Sequence, residues 1–97
     1  MSDDRPSVTV RDDPDADQYQ AIAESGVVAG FAAYERHPDH VVFTHTVVDD
    51  AFEGRGVGST LIRGALDAAR EEGLRVVPQC PFVQTFIERH AEYADLV

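Results

Sequence analysis

The chain has 97 residues, enough for one hydrophobic core and one domain spanning 1–97. Its 18 acidic residues face 8 basic ones, and a net charge of −10 repels nucleic-acid phosphate and anionic membrane, so neither partner is expected. A single cysteine forms no internal disulfide, and no apolar run reaches signal-peptide or transmembrane length, so the expected setting is soluble and cytoplasmic.

All 8 cations are arginine. An aspartate-rich, lysine-free composition suits a cytoplasm of high ionic strength, where salt screens self-repulsion; a GC-rich genome that favours arginine codons is the alternative.

In chain order, Val8 to Arg11 reads as a short strand, followed by the acidic turn Asp12 to Asp17. Gln18 to Glu24 is a second strand, Ser25-Gly26 breaks it, and Val27 to Arg36 is a third, so the pair reads as a hairpin. After the turn His37-Pro38-Asp39, His40 to Val48 forms a fourth strand. Simple alternation puts Val41, Phe43, His45 and Val47 on one face and Val42, Thr44, Thr46 and Val48 on the other. Both faces are largely apolar or β-branched, which predicts a central strand.

A helix then carries Val57, Leu61, Ile62, Ala65, Leu66 and Ala69 on one stripe, and Gly73 ends it. Leu74 to Val77 supply a fifth strand, parallel to the fourth through a βαβ crossover. A second helix is predicted from Pro81 to about His90. Pro78 has no N–H for a ladder, so the fifth strand should lose its neighbour there and open a slot. The expected class is α+β with α/β-type layers, built on a mixed, largely antiparallel sheet.

Between the fourth strand and the first helix lies Glu53-Gly54-Arg55-Gly56-Val57-Gly58-Ser59. Glycines remove Cβ atoms that keep an anion off the backbone, and a new helix presents unpaired N–H groups and its positive dipole end. A phosphate-bearing ligand is expected there; a plain strand-to-helix turn is the alternative. A P-loop is excluded because the chain has no lysine, and a dinucleotide fingerprint is not expected because the loop lies past mid-chain and Ser59 stands where Gly54 and Gly56 would need their third glycine.

This loop, between a strand and an amphipathic helix, resembles the acetyl-CoA motif Gln/Arg-x-x-Gly-x-Gly/Ala of the GNAT acetyltransferase superfamily. Phe43-Thr44-His45-Thr46-Val47, Val76 to Val83 with Cys80 and Phe82, and His90 to Leu96 resemble more narrowly its small single-domain GNAT-like N-acetyltransferases. The resemblance spans nearly the whole chain. It implies a GNAT-like fold, shortened at the C-terminal end, with acetyl-CoA as co-substrate and an amine as acceptor. It also implies that Gly54, Arg55, Gly56, Val57, Gly58 and Ser59 hold the pyrophosphate and that Thr46, Val47 and Val48 pair with the pantetheine arm. Core packing explains most of Phe43, Phe82, Phe86 and Ile87, and of these Phe82, at the slot, is the one expected to touch that arm. Glu53 departs from the motif, and a carboxylate beside pyrophosphate weakens binding unless salt screens it or it turns outward.

Acetyl transfer to an amine needs a base, a polarised carbonyl and a stabilised thiolate. By resemblance, the backbone N–H of Val47 or Val48 polarises the carbonyl. The tyrosine that the superfamily often uses as acid is missing: Phe82 and Phe86 stand there, and no tyrosine lies between Tyr34 and Tyr93. His45 is a candidate base, or a half-buried histidine satisfied by its neighbours. Cys80 is a candidate thioester contact or nucleophile, or a small core residue. No metal site is expected, because His37, His40 and His90 share no ligand spacing. The first reading is an acetyl-CoA-dependent N-acetyltransferase and the alternative a non-catalytic acyl-CoA-binding module; an unrelated structural or interaction domain, the third class, would have to explain the glycine loop away.

Overall fold

The computed structural model describes residues 8–97; the start of the expected 1–97 domain lies outside the described residues. Five strands, β1 (Val8–Asp13), β2 (Gln18–Ala23), β3 (Val28–Arg36), β4 (His40–Val48) and β5 (Arg75–Pro78), form one sheet in the order β1-β2-β3-β4-β5. The first four run antiparallel as a meander, and β5 joins β4 in parallel. That last pairing requires a crossover, which is α1 (Val57–Glu71); α2 (Pro81–Arg89) follows β5. Two 3-10 turns, Asp50–Phe52 and Ala91–Leu96, complete the chain.

The stripe of α1 is its buried side. Val57, Leu61, Ile62, Ala65, Leu66 and Ala69 all pack in one core with Tyr19, Ala32, Tyr34, Val41 and Phe43 of the sheet and Val83 and Phe86 of α2. The helix lies close to β1: a Cβ on Gly64 would come within 2.8 Å of Val10 Cβ. Gly73, at φ 72°, turns the chain out of the helix into β5.

β1 runs two residues further than its sequence indicates, through Asp12 and Asp13. Asp12 is matched from afar, accepting from the Tyr34 hydroxyl at 2.6 Å and from Arg36 at 3.3 Å. The acidic turn therefore shortens to Pro14–Asp17, with Asp17 at φ 54°.

The larger difference is in β4. Ala33 pairs with His45 but Tyr34 pairs with Phe43, so Thr44 is an extra residue in the ladder. Such a bulge shifts the alternation by one place. Phe43, Thr46 and Val48 consequently face the helices, while His45 and Val47 face the opposite side with Phe31, whose ring meets that of His45 at 5.8 Å and 82°. The strict alternation expected for this strand fails because the extra residue is defined by pairing with β3, not by β4 itself. On that opposite face Val28, Val47 and Val77 are exposed.

Candidate functional site

β5 leaves β4 at Pro78, which pairs with Phe43 as the last rung. Proline has no N–H to continue the ladder, and the next N–H, that of Gln79, turns back to the Val77 carbonyl at 3.1 Å. Cys80 N–H then donates to the Phe43 carbonyl at 2.9 Å and starts α2 as its N-cap. Among the described residues, β4 beyond Phe43 has a strand neighbour on one side only. The parting read from Pro78 is therefore present.

A cavity of about 540 Å³ opens at this parting. Thr46 and Val48 of β4 form one wall, Glu53, Gly54, Gly56, Val57, Gly58 and Ser59 form the loop side, and Phe82 closes it from α2. Val47 and Arg55 do not line it, and neither does His45 nor Cys80. Phe52 does, and sequence reasoning missed it. Its signal was a lone large apolar residue in the otherwise acidic Asp49-Asp50-Ala51 segment, which a 3-10 turn capped by the Asp49 side chain folds toward the cavity.

The three loop glycines serve different ends. Gly54 and Gly56 both adopt φ 78°, a left-handed conformation that side chains disfavour. Gly56 is the N-cap of α1 and offers no side chain to cap it, so the first N–H groups of the helix stay free for an anion, with no acid in the first turn. Gly58 makes room for a ring instead: a Cβ there would lie 2.7 Å from the tip of Phe82. Glu53 is the one carboxylate on the cavity wall.

Cys80 is 3% exposed, and its Sγ contacts Thr46 Oγ1 at 3.4 Å. Thr46 thus lies between the thiol and the cavity. His45 is exposed on the far face, with Nδ1 3.4 Å from Thr44 Oγ1. Tyr93 is buried away from the cavity: its hydroxyl donates to Asp67 at 2.7 Å, and burial followed by that bond pushes the phenol pKa up. His37 and His40 stack at 4.3 Å in the β3–β4 turn. Among the described residues no three His, Cys, Asp or Glu side chains gather as a metal site.

The structure is thus a two-layer α+β domain whose sheet parts beside a glycine-rich helix start. The family model described as GCN5-related N-acetyl-transferase matches residues 18–96, and the chain belongs to that family. Among curated proteins, Protein NATD1 of Bos taurus is 41% identical over 46 residues, and that of Homo sapiens 37% over 46 residues. Each match covers 47% of this chain and 41% of the relative, so the aligned part is less than half of either. Among solved structures, a GCN5-like protein of Staphylococcus aureus, ascribed N-acetyltransferase activity, superposes with a TM-score of 0.68 at 23% identity over 93% of this chain and 87% of its own. A protein ascribed phosphinothricin N-acetyltransferase activity gives 0.58 at 27% identity over 75% and 50%. The first of these likenesses establishes the mixed five-stranded fold.

Proposed function

We propose that the chain moves acetyl from acetyl-CoA to an amine by direct attack, with the coenzyme pyrophosphate on the Gly54–Ser59 loop. The observation that carries this reading is the cavity that joins the loop to the parting of β4 and β5. The residues fit such a ligand: left-handed glycines and an uncapped helix start suit the phosphates, and Val48, Phe52 and Phe82 suit an apolar arm. When bound, the thioester supplies an activated acyl group.

The chain contributes binding, orientation and proton transfer. Backbone N–H at Val47 or Val48, beyond the last β5 rung, is the donor assigned to the thioester carbonyl. His45 is assigned as the base for an amine that reaches the parting from the far face of β4. That His45 does not line the cavity, with the burial of Cys80, favours a second reading, a non-catalytic acyl-CoA-binding module.

Mass spectrometry of copurified acyl-CoA, then an assay of free CoA released from acetyl-CoA with a panel of amines, separates the two. Amine-dependent release supports transfer. Binding without release supports the module, and no binding removes both.

A further inference from the structure

The extra residue of β4 and the histidine after it share a hydrogen bond whose direction follows from counting protons. Thr44 Oγ1 lies 3.3 Å from the Ala33 carbonyl oxygen and 3.4 Å from His45 Nδ1. A hydroxyl carries one proton, and a carbonyl oxygen can only accept. The Thr44 proton therefore goes to Ala33, and toward His45 the hydroxyl offers only a lone pair. In the neutral imidazole Nδ1 must then carry the hydrogen, which leaves the free lone pair on Nε2. Neighbouring side chains of a regular strand point to opposite faces, so the bulge is what brings this hydroxyl to the ring of the next residue.

We infer that Thr44 is a positioning residue for His45, selecting the tautomer in which Nε2 is the base. The catalytic part of this inference rests on the transfer reading above; the tautomer itself does not. Phe31 sets the ring plane, meeting the imidazole at 5.8 Å and 82°, and the residue opposite His45 in the ladder is Ala33, too small to cover it. His45 stays exposed, and among the described residues Nε2 has no hydrogen-bond partner. As an amine nitrogen bonds to the acyl carbon, Nε2 takes the proton that nitrogen sheds, and the coenzyme sulfur keeps the electron pair of the bond that breaks. The opposite tautomer would present an N–H there and could not accept.

The experiment is long-range ¹H–¹⁵N NMR of the imidazoles of the wild type, Thr44→Val and Thr44→Ser at about pH 8, where an ordinary imidazole is mostly neutral. His45→Ala identifies the resonances, and far-UV circular dichroism checks the fold. In the wild type and Thr44→Ser, Nδ1 of His45 should resonate as the protonated nitrogen and Nε2 as the bare one. Thr44→Val should exchange the two. In the CoA-release assay, Thr44→Val should lower kcat about tenfold with KM for acetyl-CoA within about twofold, and Thr44→Ser should recover most of the loss. A wild type with the hydrogen on Nε2, or a tautomer that survives Thr44→Val, would overturn the inference while the transfer reading stands. An exchanged tautomer with unchanged kcat would overturn the positioning role. Absence of amine-dependent release by a wild type that shows the expected tautomer would overturn the transfer reading and leave the hydrogen-bond assignment supported.

Discussion

Thr46 Oγ1 and Cys80 Sγ touch at 3.4 Å across the parting of β4 and β5, with the threonine on the cavity wall and the thiol behind it. Under the proposed function, this order favours direct transfer over a route through an acetyl-cysteine. A nucleophile must reach the thioester carbon, and a thiol screened by a neighbouring side chain is poorly placed to do so. With direct transfer, His45→Ala should lower kcat about 100-fold at saturating acetyl-CoA, while Cys80→Ala stays within about threefold of wild type. Acetyl mass trapped on Cys80 that then passes to an amine, with ping-pong kinetics, would reverse this choice. Full activity of both variants would leave backbone polarisation and solvent as the catalysts.

Phe82 rests over Gly58, so the two should be separable by a single methyl. Gly58→Ala brings a Cβ to 2.7 Å from the ring tip, and the ring is 43% exposed, free to swing outward. Because the yielding atom is the end of a mobile side chain, stability should change by no more than about 1 kcal/mol. Affinity for coenzyme A should drop severalfold, since the displaced ring no longer walls the cavity. Unaltered affinity in calorimetry would show that Phe82 does not contact the ligand.

Glu53 places a negative charge on the wall of a proposed pyrophosphate site. Glu53→Gln should tighten coenzyme A binding, by roughly 1 kcal/mol at low ionic strength and less at high salt, because screening weakens the repulsion. A variant that binds equally well or worse at low salt would mean that the carboxylate has a favourable role at the loop.

Alkaline pH should weaken the sheet through Tyr34. Burial, and after it the hydrogen bond to Asp12, push its pKa from 10.0 up to about 12. The fold therefore favours the neutral phenol. Its stabilising contribution, on the order of 2–3 kcal/mol, is complete below pH 10 and disappears as pH rises toward 12. Urea midpoints should fall across that window, and Tyr34→Phe should flatten the fall without abolishing it, since Tyr19 and Tyr93 are also raised. An identical pH dependence in the variant would refute the assignment.

What could be read from the chain was what local chemistry dictates. The apolar stripe of α1, the glycine loop and the missing donor of Pro78 each act within a few residues, and each stands where the sequence puts it. Distant partners were invisible. Asp12 joins a strand because Tyr34 and Arg36, 22 and 24 residues away, satisfy it. The closeness of Phe82 to Gly58 arises only when α2 returns against α1. Thr44 fits an alternating strand perfectly well by composition, and its status as a surplus residue exists only in the register with β3.

That surplus residue shapes more than the alternation. Thr44 Oγ1 donates to the Ala33 carbonyl at 3.3 Å, tying the extra length to β3. Extra length in one strand of a pair bends it, and this bend falls one residue after the last rung with β5. The opening at the sheet edge thus has two independent origins, a donor withheld by β5 at Pro78 and a curvature imposed from the β3 side. Restoring the donor by Pro78→Ala would leave the curvature in place, so the mouth of the cavity is buffered against a single substitution. Because Thr44 is the spare member of the ladder, its deletion would keep every later side chain of β4 on its own side while straightening the strand, whereas deleting Phe43 would straighten it only by moving Thr44 into the core place opposite Tyr34.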